Sequence, residues 1–311
     1  MSVKNCLLIG GAGFIGTHLS LALLDSGWNV TVLSRSRIDE SRQIKGCIYV
    51  SGDFADPIIL EYLLDANELI IHLAYATVPN TSFDNPVSDL QQNLPPTVQL
   101  FHEVAKRSKR LIYVSSGGTV YGEPSSLPIS EAHVTNPISP YGLTKLTLEK
   151  YANFYRVAHG LKVICIRPSN PYGPGQRPFT GQGFVSYAIG SILKGQSVKV
   201  FGKHGTVRDY IYIDDLVAGI IEVVLTGHEG ETYNIGSSVG MTNLQILNRL
   251  SPLIEILGRS VTIEHLPERV FDVTANVLDC QKLIGHSDWV VKTSLQEGLS
   301  KTVTWLKNQS F

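Results

Sequence analysis

The chain has 311 residues with 26 Lys+Arg against 27 Asp+Glu, a formal net charge of -1. No basic block could neutralise a run of phosphates, which excludes a nucleic-acid partner, and 43% hydrophobic with 17% charged residues excludes a disordered chain. Cys6, Cys47, Cys165 and Cys280 lack CxxC spacing, and three lie in or beside apolar strand-like runs, so they read as buried free thiols rather than disulfides or zinc ligands.

"VKNCLLIG" reads as the first strand, and it is too short and wrongly flanked for a signal peptide. No stretch approaches a membrane span, so cytoplasm is the expected location. The helix "FIGTHLSLALLDSG" ends at Gly27, and "NVTVLS", "CIYVSGD", "ELIIHLA", "RLIYVSS" and "LKVICIRP" follow as strands. Helical patterns at 57–65, 94–107 and 140–159 separate several of them. Strand and helix in repetition predict right-handed crossovers and a doubly wound parallel sheet of the Rossmann type, an α/β fold.

From about 169 the regularity falls, in the Pro/Gly-rich "PSNPYGPGQRPFTGQG". A helix over 184–194, a short strand "SVKVFG", "RDYIYIDDL" and a helix over 214–226 come next. Two unequal, interleaved lobes are expected. Residues 1–168 with about 210–230 form a dinucleotide-binding domain. About 169–207 and 234–311 form a smaller α/β substrate lobe, with the cleft between them.

"LLIGGAGFIGTHL" sets Gly10, Gly13 and Gly16 at GxxGxxG spacing directly after strand one. Glycines there permit a tight turn and bring backbone N–H groups to a pyrophosphate at a helix N-terminus. At the end of strand two, where an acidic residue usually accepts ribose hydroxyls, stand Ser34 and Arg35. A hydroxyl and a guanidinium accommodate a 2′-phosphate, which favours NADP over NAD. The other use of Arg35 is a solvated loop charge. Asp53 after strand three could accept from an adenine amine, and Asp56 before Pro57 suits a helix N-cap.

In "SPYGLTKLTLEKY", Tyr141 and Lys145 stand at i and i+4, one above the other on a helix. A phenol is too weak an acid to serve as a base at neutral pH, and an ammonium one turn away would lower its pKa. The pair could then exchange a proton with a sugar hydroxyl. No cluster suggests a metal.

Taken together, "GGAGFIG", "HLAYA", "SSGGTVYG", "YGLTK", "RPSNPYGPGQ", "RDYIYIDDL", "YNIGS" and the tail "PERVFDV" resemble the extended short-chain dehydrogenase/reductase family. More narrowly they resemble its nucleotide-sugar epimerases and dehydratases, typified by UDP-galactose 4-epimerase. The resemblance implies a catalytic pair Tyr141 and Lys145, with Lys145 also on the nicotinamide ribose. It implies support near the cofactor from Asn93, and cofactor contacts from Phe14, Ile15, Phe54, Ala74, Tyr75 and Pro168. Toward the substrate it implies Thr77, Asn170 at the nucleotide-sugar phosphates, Arg208 and Arg269 as a diphosphate clamp, and Phe201 at the nucleobase. Guanidinium groups suit that clamp as permanent multidentate donors.

The family's catalytic Ser or Thr stands four residues before the Tyr of "VYG", and that position here is Gly117. Ser116 and Thr119 are the nearest replacements, with Thr119 preferred because neighbours on an extended segment point to opposite sides. Ser116 would need a turned backbone, which Gly117 and Gly118 permit while leaving a roomy floor for the sugar. A water in place of the hydroxyl is the third option.

The resulting expectation is a 4-epimerase of a UDP-hexose or UDP-N-acetylhexosamine. The alternatives are an NADP-dependent reductase of a nucleotide-linked 4-keto sugar and a non-catalytic NADP-binding sensor or scaffold. By resemblance the enzyme is a homodimer packed through 94–107 and 140–159.

Overall fold

The computed structural model describes residues 4–269 and 272–311, so Val3 of the first strand motif and Val270 and Phe271 of "PERVFDV" lie outside the described residues. Six strands follow one another through the first half: β1 (Asn5–Ile9), β2 (Asn29–Ser34), β3 (Cys47–Ser51), β4 (Leu69–His72), β5 (Arg110–Val114) and β6 (Lys162–Pro168). With β10 (Thr232–Ile235) they form one seven-stranded sheet in the order 10-6-5-4-1-2-3. Every pairing in it is parallel. The order reverses beside β1, where a doubly wound sheet opens its binding crevice.

Both faces of the inner strands β1, β4, β5 and β6 are buried, which is why they read as unbroken apolar runs. Leu8, Ile71, Ile112 and Ile164 pack on one side of the sheet. There they meet α1 (Phe14–Asp25) and α7 (Ile213–Thr226). Leu7, Ile70, Leu111 and Val163, one residue away in each strand, point to the other side. That side is covered by α2 (Pro57–Ala66), α4 (Pro86–Lys106) and α5 (Pro140–His159). A one-turn helix, α3 (Pro79–Asp84), precedes α4.

The smaller lobe is collected from distant segments. β7 (Asn170–Tyr172), β11 (Gly240–Thr242) and β13 (Ala275–Asn276) all pair with β9 (Val207–Tyr212). A second ribbon joins β8 (Val198–Phe201) to β12 (Ile263–Leu266). Helices α6 (Phe184–Leu193), α8 (Asn243–Glu255) and α10 (Leu295–Leu306) pack together beside them, and α9 (Gln281–His286) lies against β10.

The structure differs from expectation in three places. The large sheet takes in Thr232–Ile235, beyond the boundary near 230, while β9 lies wholly in the small sheet. Helix α4 begins at Pro86, eight residues before 94, because Asn85 caps it by accepting from Ser88 N–H. Pro95 and Pro96 sit inside that helix, where they look in sequence like a start signal.

Candidate active site

β1 ends in a turn that only glycine can make. Gly10 has φ +84°, and a Cβ there would lie 2.7 Å from the backbone nitrogen of Ala74. A Cβ on Gly16 would lie 2.5 Å from Gly11 Cα, so helix and turn are in contact through bare backbone. Gly13 is the N-cap of α1 and supplies no side-chain acceptor, which leaves the first N–H groups of the helix to an outside ligand. This cradle opens into a cleft of about 1320 Å³ between the two sheets. The residues fit a dinucleotide pyrophosphate.

Gly10, Gly13, Phe14, Ile15, Gly16, Tyr75 and Pro168 line the cleft, whereas Ala74 and Asn93 stand behind it. Asn93 is buried and accepts from Ala76 N–H at 2.8 Å while donating to the Asp89 carbonyl at 2.7 Å, so it braces the loop after β4. At the far end Ser34 donates its hydroxyl to the Ser36 carbonyl, and Arg35 is exposed. Asp53 accepts from Ala55 N–H at 2.9 Å, and Asp56 is the N-cap of α2. Phe54 stands edge-on to His72, ring centroids 5.0 Å apart.

α5 starts at Ser139, whose hydroxyl accepts from Gly142 N–H, with Pro140 in the first turn. Its second helical residue is Tyr141, and its sixth is Lys145. The Lys145 ammonium donates to the Val114 carbonyl at 2.8 Å and lies over the rings of Tyr75, Tyr113 and Tyr141 at 4.2, 5.4 and 5.8 Å. Tyr75 and Tyr141 meet edge to face at 4.7 Å.

The expected lowering of the Tyr141 pKa by Lys145 is not what the chain alone provides. Burial and the Asp89 charge push the phenol above its ordinary value, and a hydrogen bond from Ser116 acts in the opposite direction. Burial brings Lys145 down to about 7, against the opposing charges of Glu149 and Asp89.

The sign of that shift makes a prediction. From about pH 7 to 10 the unfolded chain holds a proton on Lys145 that the native protein lacks, so stability rises with pH by up to about 1.4 kcal/mol per unit. Lys145→Met is expected to remove this slope and raise the melting temperature at neutral pH, read from melts across that range. A slope unchanged in the variant would refute it.

The Gly117 expectation is corrected. A Cβ on Gly117 would run into Leu278 Cδ1 at 2.5 Å and the Arg167 carbonyl at 2.9 Å, so this position faces the core and has no place for a catalytic hydroxyl or a sugar floor. The chain turns sharply here, with Thr119 N–H and Val120 N–H both donating to the Ser116 carbonyl. That turn carries the Ser116 hydroxyl to Tyr141, whereas the buried Thr119 hydroxyl has no hydrogen-bond partner among the described residues. Gly118 is the open position, 3.9 Å from the Asn170 amide.

On the other side of the cleft Asn170 donates to the Asp209 carbonyl at 3.2 Å. Arg208 donates to the Val207 and Val273 carbonyls at 2.9 and 2.7 Å, and burial depresses its pKa. No carboxylate among the described residues forms an ion pair with it, an arrangement suited to an anionic ligand. Arg269 lies face-on over Phe201 at 3.5 Å, so one face of Phe201 is already covered. Thr77 lines the cleft but gives its hydroxyl proton to Asp89. Sequence reasoning missed Asp89, Glu149 and Arg167, since nothing in the sequence marks a charge as buried.

Residues 6–236 match the model of the NAD dependent epimerase/dehydratase family. The UDP-glucose 4-epimerase of Mycolicibacterium smegmatis is 31% identical over 98% of this chain and 99% of its own length. The UDP-glucose 4-epimerase of Thermotoga maritima, solved with UDP-glucose, superposes with a TM-score of 0.91 at 31% identity, covering 98% of this chain and 99% of that one. The Thermus thermophilus UDP-glucose 4-epimerase complex with NAD also gives 0.91, at 29% identity over 99% and 100% of the two chains.

Proposed function

Because this chain belongs to the NAD dependent epimerase/dehydratase family, we infer that it is an NAD(P)-dependent nucleotide-sugar 4-epimerase acting on a UDP-sugar. One observation carries this reading. Tyr141, Ser116 and Lys145 stand in a single cleft, with a bare-backbone nucleotide cradle at one end and Arg208 and Arg269 at the other. That is the arrangement needed to hold a sugar between a dinucleotide and a diphosphate clamp.

A bound nicotinamide supplies reversible hydride acceptance at the sugar carbon. The chain supplies the rest. The Tyr141 oxygen takes the proton of the sugar 4-hydroxyl and returns it, and Ser116 holds the same sugar oxygen by a hydrogen bond. Burial favours the protonated phenol, so a Tyr141 phenolate takes the proton readily and its return to the sugar is the harder half. Lys145 orients the ribose. Arg208 and Arg269 retain the diphosphate while the sugar presents its other face, for which the open side of Gly118 leaves space.

Three finer points belong to the same proposal. NADP is preferred to NAD, supported by Ser34 and the solvent-facing Arg35 in place of a carboxylate. The dinucleotide sits on 1–168 with α7 and β10, and the nucleotide sugar on the segments that follow β6 and β10. A homodimer is supported by the exposed apolar side chains on α4 and α5, among them Leu90, Tyr151, Phe154 and Val157.

The test uses protein denatured to release its nucleotide for identification. Native protein is then given UDP-glucose, UDP-N-acetylglucosamine and their galacto epimers without added cofactor. Interconversion of either pair with no net NAD(P)H change is expected. Turnover only with NADPH and a 4-keto sugar would make the chain a reductase. No turnover, with a melting temperature raised by UDP-sugar, would make it a sensor.

A further inference from the structure

One fully buried carboxylate beside the cleft is not used by the mechanism. Asp89, on α4, is 0% exposed and forms no ion pair among the described residues. Burying a carboxylate in this way is strongly unfavourable unless hydrogen bonds replace its water. Three hydroxyls do so, two from the loop after β4 and one from α5. Thr144 donates to Oδ2 at 2.7 Å, Tyr75 donates to the same oxygen at 3.4 Å, and Thr77 donates to Oδ1.

Each of these donors holds part of the reacting group. Thr144 immediately precedes Lys145 and lies on the turn of α5 that begins with Tyr141. Tyr75 offers its face to the Lys145 ammonium and meets the Tyr141 ring. Thr77 fixes the loop that carries Tyr75. One carboxylate thus ties α4, α5 and the loop after β4 together at the point where the proton moves.

We propose that Asp89 is a positioning residue of the reaction: its carboxylate locks Tyr75 and the Tyr141–Lys145 turn in register. The proposal rests on the epimerase reading above. The groups facing Asp89 are Tyr75 and Thr77 from the loop, Tyr141, Thr144 and Lys145 from α5, with Tyr113 of β5 behind Lys145 and Glu149 one turn further. The Asp89 charge raises the pKa of Tyr141, Tyr75 and Lys145 alike. Neutralising it lowers all three.

Asp89→Asn keeps the shape, since the threonine hydroxyls can rotate to accept. The acidic limb of kcat/KM against pH is expected to move down by roughly one unit. The lower edge of the pH window over which the melting temperature climbs through Lys145 is expected to move down with it, and this second shift to vanish in a Lys145→Met background. Should the Asn variant fail to fold, Asp89→Ser removes the same charge and is read in the same way. Both profiles unmoved, beneath a uniform loss of stability, would overturn the proposal and leave Asp89 a packing residue. If the wild-type protein does not epimerise, that earlier reading falls by itself, and the melting profile decides for Asp89.

Discussion

Tyr141→Phe is expected to lower kcat by roughly 10²- to 10⁴-fold, the usual contribution of a positioned acid–base group. The substitution removes one oxygen and leaves the ring in place. That ring is held edge to face by Tyr75 at 4.7 Å and overlaid by the Lys145 ammonium at 5.8 Å, and neither contact uses the hydroxyl. The backbone N–H of Tyr141 donates to Ser82 Oγ at 3.2 Å and is untouched by the change. Affinity for the nucleotide sugar, which rests on the other side of the cleft, is therefore expected to stay within about twofold of wild type. Turnover of UDP-glucose and calorimetric titration of UDP check the two halves separately. A kcat within tenfold of wild type would mean that another group moves the proton. Equal losses in binding and turnover would mean that Tyr141 is a binding residue.

The second large effect concerns stability. Arg167 is 6% exposed and Glu149 8%, and they meet as a fork. Nε donates to one carboxylate oxygen at 3.0 Å and Nη2 to the other at 2.5 Å, while Nη1 donates to the Tyr121 hydroxyl at 2.9 Å. Tyr121 in turn donates to Asn234 at 2.7 Å, so the chain of bonds runs from α5 through β6 to β10. Arg167→Met strands the Glu149 charge in the interior and is expected to cost about 3–5 kcal/mol. Removing both charges, in Glu149→Leu with Arg167→Met, is expected to recover more than about 1 kcal/mol, because no buried charge then lacks a partner. Urea denaturation of the two variants measures both figures. A loss below about 1 kcal/mol in the single variant would show that Lys145, one turn away on α5, takes over as the partner of Glu149.

These two arginine- and tyrosine-centred expectations also show what a sequence discloses. The sheet was legible because its inner strands β1, β4, β5 and β6 are buried on both faces and so appear as apolar runs. Tyr141 and Lys145 were legible because helical spacing alone brings them together. Between the two candidate hydroxyls the sequence favoured Thr119, whereas the one that meets Tyr141 is Ser116, three residues earlier. Counting back from Tyr121 assumes an extended strand end, whereas the turn at Gly117 and Gly118 rotates Ser116 into the cleft. The start of α4 was hidden by Pro95 and Pro96, which look like a beginning and are tolerated in the middle. β10 was hidden because "TYNI" is short and shares its pattern with the small lobe. Asp89 was beyond reach for a different reason. Its importance lies in three hydroxyl donors contributed by residues 75, 77 and 144, and no local pattern connects them.

The strand β9 has a further meaning for how the enzyme comes into being. Its neighbours β7, β11 and β13 are drawn from positions near 171, 241 and 275, so the small sheet has no sequential order of assembly. The first six strands of the large sheet can condense as the ribosome delivers them. The smaller sheet waits for Asn276, and at ~5–20 residues per second the roughly 100 residues after β6 take about 5–20 s to arrive. For that interval the nascent chain presents a finished nucleotide cradle beside an unfinished substrate wall. A ligand of the large sheet can therefore act as a folding template during synthesis, well before the protein has anything to catalyse.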